Sequence, residues 1–121
     1  MSGNTITIVG NATADPELRF TSSGQAVTNF TVADTPRYQD RSTGEWQDGE
    51  TLYQKVAIWG DQAENVATSI KKGARVLVTG RLTSKSYTTN DGDKRTYTEL
   101  VADEIGASLK FATADITRAT R

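Results

Sequence analysis

Only one segment of this chain carries helical periodicity, and alternating segments flank it on both sides; no other feature limits the fold as much. Within Asp61 to Ile70, Ala63, Val66, Ala67 and Ile70 follow the i, i+3, i+4, i+7 stripe of a helix with one buried face. Asp61 and Glu64 stand at capping-box spacing, with Asp replacing the usual Ser or Thr. Lys71 and Lys72 follow where helix carbonyls point, and Gly73 is placed to end the helix. The rest of the chain reads as strands and turns.

Thr5 to Val9 alternates Thr and Ile as a first strand, stopped by Gly10-Asn11. Asp15-Pro16 bends the chain before a short extended piece, Glu17 to Thr21, and Ser22-Ser23-Gly24 turns it. Ala26 to Ala33 is a second strand with Ala26, Thr28, Phe30 and Val32 on one face. Asp34 to Thr51 is a long polar connection, and connections of that length are commonly functional or mobile. Leu52 to Gly60 is the third strand. Beyond the helix, Arg75 to Leu82 forms a fourth strand that runs on to Thr89 and the hairpin signal Asn90-Asp91-Gly92. Arg95 to Val101 returns as the fifth. Five strands with one helix between the third and fourth is the order of an OB-fold, an all-β five-stranded barrel, here with long β-hairpin arms. At 121 residues the chain holds one domain, read as 1–111, with a small and polar segment at 112–121 that is expected to be flexible.

The third strand sorts into two unlike faces. Leu52, Gln54, Val56 and Ile58 point one way as a core requires, while Tyr53, Lys55, Ala57 and Trp59 point the other. A solvated strand face normally carries Thr, Ser, Glu and Lys. Two aromatics around a cation suit a flat anionic ligand such as an unpaired nucleotide, although a subunit interface or burial under a loop would also use them. The pattern recurs elsewhere. Arg37, Tyr38 and Arg41 lie in the long connection, which also holds Trp46, and Arg81, Lys85 and Tyr87 share the odd positions of the hairpin limb. Packing could account for one such set, but three favour single-stranded nucleic acid.

Composition excludes a good deal of chemistry. Cysteine and histidine are both absent, which removes disulfides, Cys- or His-based zinc sites, thiol nucleophiles and imidazole-dependent triads. No catalytic residues, metal or cofactor are expected. No apolar run is long enough to span a membrane and no signal segment begins at Met1, so a cytoplasmic, nucleoid-associated protein is expected. The formal net charge of -1 does not advertise a polyanion binder, but a balanced total can hide a local positive surface.

Taken together, these residues resemble the DNA-binding domain of the bacterial single-stranded DNA-binding proteins. The likeness runs through Ile8-Val9-Gly10-Asn11, Asp15-Pro16-Glu17-Leu18-Arg19-Phe20 and Gly24 to Ala33. It continues in Thr43-Gly44-Glu45, Val56-Ala57-Ile58-Trp59-Gly60, Ala63-Glu64, Lys72 to Leu82 and Asp91-Gly92. The resemblance implies an OB-fold that assembles as a homotetramer and binds single-stranded DNA without sequence preference in replication, recombination and repair. The family's stacking aromatics fall on Tyr38, Tyr53, Trp59 and Tyr87, and its backbone-contacting cations on Lys55, Lys72 and Lys85. Where the family commonly has tryptophan, this chain has Tyr38, Tyr53 and Tyr87, and a smaller ring implies weaker contacts. Gln54 stands where histidine is frequent, on the inward face near the family's subunit contacts. In the returning strand an aromatic usually follows the arginine directly; here Thr96 does, which is expected to put Tyr97 on the opposite face. The family's long flexible region and acidic tip do not appear before Arg121, so recruitment of replication and repair enzymes through such a tail is not expected of this chain.

Two other readings stand beside this one. A protein-binding OB-fold would use the same aromatic face for a partner. A carboxylate-dependent metallonuclease would need convergent acids, yet Asp91 and Asp93 sit at a hairpin tip and Asp103 and Glu104 point to opposite sides of a strand.

Overall fold

The computed structural model describes residues 4–120. Its strands are β1 (Asn4–Ala12), β2 (Glu17–Phe20), β3 (Ala26–Asp34), β4 (Arg37–Gln39), β5 (Trp46–Asp48), β6 (Leu52–Trp59), β7 (Arg75–Thr88) and β8 (Lys94–Ala107), with α1 (Asp61–Ser69) between β6 and β7. The main sheet runs β1-β7-β8-β6-β3-β2, and β1 pairs with β3 as well as β7. The five strands β1, β7, β8, β6 and β3 therefore close into a ring, with β2 added outside β3. This is the OB-fold architecture that the element order predicts.

Closure needs sharp local changes in direction, and two glycines permit them. β1 pairs with β7 over Asn4 to Asn11, then with β3 through Asn11 and Ala12. At this crossing a Cβ on Gly10 would lie 2.5 Å from the Ala33 carbonyl oxygen. On β7 the register with β8 shifts between Thr79 and Gly80, and a Cβ on Gly80 would overlap the Val101 carbonyl oxygen. Such a bulge leaves Asp103 without a ladder partner and bends the strand. Gln62 of α1 meets the irregular backbone from the side: its Nε2 donates to the Asp103 carbonyl (3.1 Å) and its Oε1 accepts from the Ile105 N–H (3.0 Å).

The core is the ring interior, closed at one end by α1. Phe30 and Val32 of β3, Val56 and Ile58 of β6, Val76 and Val78 of β7, and Leu100 of β8 pack there against Ala63, Val66 and Ile70. Ala26, Thr28, Phe30 and Val32 are all buried as the alternation predicts, and Val27 on the other face of β3 is buried as well. Thr28 spends its hydroxyl on the Ala63 carbonyl (2.8 Å), so the one fully buried polar side chain of β3 anchors the helix instead of being left unpaired.

Several sequence expectations change in detail. Gly60 occupies the helix N-cap and no side chain caps it, so the Asp61–Glu64 capping box does not form. The helix ends at Ser69 with Ile70 extended, and Gly73 instead belongs to the turn into β7, where its N–H meets the Ala12 carbonyl (2.8 Å). The Lys71 ammonium does reach a helix carbonyl, that of Ala67, at 3.4 Å. The long connection is not structureless: β4 and β5 pair as a small separate ribbon, closed at its base by the Thr35–Thr51 hydroxyl contact (2.6 Å). Residues 112–120 have no regular structure and border grooves along α1 through Asp115, Ile116 and Arg118.

Candidate nucleic-acid interface

Strand register decides which of the candidate residues share a surface. On β6, Tyr53, Lys55, Ala57 and Trp59 face outward opposite Ala33, Thr31, Asn29 and Val27 of β3. Beyond β3, Arg19 of β2 lies opposite Val27. On the other side, Lys55 and Ala57 align with Glu99 and Val101 of β8. Glu99, Tyr97 and Arg95 lie opposite Thr83, Lys85 and Tyr87 of β7, and Val101 lies opposite Arg81. Paired residues of neighbouring strands point to the same side of a sheet. Tyr53, Lys55, Trp59, Arg81, Lys85 and Tyr87 therefore belong to one continuous outer face.

At its centre is a cleft of about 360 Å³ lined by Arg19, Phe20, Asn29, Ala57, Trp59, Lys85, Tyr97 and Glu99, among others. That volume lies in the range of small-ligand sites. Ala57 is only 2% exposed and makes a shallow floor, while Trp59 (42%) and Phe20 (61%) stand open beside it. Asn29 accepts a hydrogen bond from Arg19 Nη2 at 2.7 Å, which holds the guanidinium against β3. The Lys55 ammonium sits 4.4 Å from the Tyr97 ring centroid, and the Tyr87 and Tyr97 rings are 6.1 Å apart at 56°. Aromatic faces and cations thus alternate across the cleft, an arrangement suited to stacked bases and their phosphates.

Tyr97 is the main correction. It does not turn away from the stacking face: it pairs with Lys85 and lies beside Tyr87. The hairpin turn already contained that information. With Thr88 opposite Lys94, each pair as far as Gly80 and Ala102 joins positions of equal parity, so Arg95, Tyr97, Glu99 and Val101 of β8 face the same way as Lys85 and Tyr87. Counting from Asn90-Asp91-Gly92 would have found it; comparison with the expected aromatic position alone did not. Arg19, Phe20 and Glu99 were missed for a different reason. They reach the cleft from strands distant in sequence, and no local spacing connects them.

The ribbon carries its own candidates. Tyr38 is exposed and donates to Gln47 Oε1 (2.9 Å), Arg37 Nε lies 3.4 Å from Asp48 Oδ1, and Arg41 projects from the turn that Asp40 organises through Ser42 and Thr43. Trp46 pairs with Gln39, one position along from Tyr38, and so takes the other side of the ribbon. Lys72 stands apart, in the link from α1 to β7, where its N–H donates to Asp15 Oδ1 (2.8 Å). Nothing in the contacts joins it to the cleft. Among the described residues no three His, Cys, Asp or Glu side chains are grouped as metal ligands would be, and no helix is long and apolar enough to cross a membrane.

An OB ring with an aromatic and cationic outer face defines a class of nucleic-acid-binding modules. The sequence matches the model of the single-strand binding protein family over residues 3–108, and the chain belongs to that family. It is 62% identical over 122 residues to the single-stranded DNA-binding protein of Mycobacterium leprae, a match spanning 100% of this chain and 73% of that protein. The crystal structure of a small single-stranded DNA-binding protein from Streptomyces coelicolor superposes with a TM-score of 0.77 at 33% identity, covering 90% of this chain and 97% of that one. A Plasmodium falciparum SSB solved in complex with ssDNA also gives 0.77, at 22% identity and coverage of 89% and 97%, and shares the fold.

Proposed function

We propose that this chain binds and protects single-stranded DNA without sequence preference, by stacking bases on its aromatic face and meeting phosphates with lysine and arginine. The observation that carries the reading is the continuous outer face of β2, β3, β6, β8 and β7, where Trp59, Tyr97, Tyr87 and Tyr53 alternate with Lys55, Lys85 and Arg81. Stacking is indifferent to base identity because every base has a π-face, and phosphate contacts carry no sequence information. The ribbon residues Arg37, Tyr38 and Arg41 extend the same chemistry beyond the barrel. Lys72 is a more peripheral phosphate contact. The function is binding, not catalysis, and requires no cofactor.

The family supports a wider role for the chain in DNA replication, recombination and repair, as a homotetramer in the cytoplasm. Trp46 and Trp59 are the chain's two tryptophans and both are exposed; Trp59 lines the cleft, so its fluorescence reports on the interface directly. Titration with oligo-thymidine should quench it strongly, and equimolar duplex should not. Trp59→Ala should weaken oligo-thymidine binding by about 1–3 kcal/mol with circular dichroism unchanged, the worth of one stacked base. Unaltered affinity in that variant, with a native spectrum, would remove the outer face as the binding surface.

A further inference from the structure

Three of the cations on the binding surfaces are met by carboxylates. Arg37 pairs with Asp48 (3.4 Å), Arg81 with Asp103 (3.7 Å) and Lys85 with Glu99 (3.9 Å). The third acid differs from the other two. The side chains of Asp48 and Asp103 are 71% and 53% exposed, as on an ordinary solvated rim, but that of Glu99 is 15% exposed. It lines the central cleft with Trp59, Ala57 and Tyr97, and its backbone aligns with Lys55. A carboxylate with little access to water, in the middle of a face meant for a polyanion, calls for an explanation.

We propose that Glu99 is a specificity-determining residue that makes this face reject polyanions offering only phosphate, duplex DNA above all. The inference rests on the single-strand-binding reading above. An unpaired strand can place a neutral base over Glu99, stacked on Trp59 and Tyr97, and lead its phosphates past on either side. The acid then costs it little, and each stacked base adds affinity that outweighs that cost. Duplex DNA has its bases stacked on one another and presents one charge per roughly 1.7 Å of axis, so it can engage the face only through phosphate. For that ligand Glu99 offsets the positive charge of the neighbouring Lys85 (3.9 Å) and adds repulsion at the centre of the contact, the kind of like-charge juxtaposition that excludes wrong partners. The balanced charge of the chain has the same consequence on the larger scale: without bases to stack, little holds a polyanion in place.

The test compares Glu99→Gln with the parent by fluorescence anisotropy, using a labelled oligo-thymidine and a labelled duplex of equal charge at low salt. The amide keeps the shape of the side chain, so the fold is retained, and circular dichroism checks it. Duplex affinity should rise about tenfold and oligo-thymidine affinity by a clearly smaller factor, so that the preference for the single strand falls. Asp115→Asn, beside α1 and away from the cleft, removes the same unit of charge and should move neither. Equal shifts for both ligands, no shift for duplex, or an Asp115→Asn effect matching that of Glu99→Gln would each overturn the assignment. Trp59→Ala separates the two levels of the argument. If it weakens oligo-thymidine binding while Glu99→Gln leaves duplex binding unchanged, only the role of Glu99 fails; if it has no effect, the binding face itself is wrong.

Discussion

Tyr97 shows how one side chain can serve two neighbours. Its ring lies under the Lys55 ammonium and beside Tyr87, so it both positions a cation and extends the stacking surface. Tyr97→Leu should keep the strand but remove the π-face, weakening oligo-thymidine binding by about 1–3 kcal/mol. Unchanged affinity by fluorescence titration would show that the base track bypasses β8. Gly80 tests the fold instead of the site. Its missing Cβ makes room for the Val101 carbonyl at the bulge, so Gly80→Ala should cost about 1–3 kcal/mol in denaturant unfolding through forced backbone movement. A variant as stable as the parent would mean that the bulge relaxes freely.

At the scale of elements, the molecule divides into a braced ring and a lightly held ribbon. β1, β3, β6, β7 and β8 each pair on both sides within the ring, whereas β4 and β5 pair only with each other. Most ribbon residues are exposed, and their hydrogen bonds are local, such as Gly49 N–H to the Pro36 carbonyl (2.7 Å). Elements with few buried apolar contacts open most readily. Amide exchange in residues 37–48 should therefore be fast in the free protein and slow markedly when oligo-thymidine is bound. Protection confined to β6 and β8 would show that the ribbon lies off the DNA path. Arg41→Gln should in addition flatten the salt dependence of binding by about 0.7 in the log–log slope, the loss of one phosphate contact on a single strand. A parental slope would exclude Arg41 from the phosphate track.

At the scale of the whole molecule, apolar surface remains outside the cleft. Leu77 on β7 and Leu52 on β6 are 42% and 56% exposed, and Leu109 and Phe111 follow β8 in the open. Exposed large apolar side chains on a small barrel are expected to be covered by assembly. Sedimentation at micromolar concentration should give a tetramer of 13.1 kDa chains, and a stable monomer would contradict it.

Local pattern was enough to identify the ring strands, the helix, its place between the third and fourth of them, and the outward Tyr53, Lys55 and Trp59 of β6, whereas Leu52, read as core, is exposed and Ala57, read as outward, is buried. Period-two and 3.6-residue repeats are imposed by backbone geometry, so Val56 and Ile58 against Tyr53 and Trp59 can be read from one segment alone. The small ribbon escaped that reading because Arg37-Tyr38-Gln39 and Trp46-Gln47-Asp48 are too short and polar to show a period. The cleft was legible only in part. Trp59, Lys85 and Tyr87 declared their type, but what they meet depends on ring closure, and closure depends on contacts such as Gly10 against Ala33 and Gly80 against Val101. Only the folded register brings Arg19 from β2, Glu99 from β8 and Lys85 from β7 to one place, because sequence spacing carries no information about which distant strands will become neighbours.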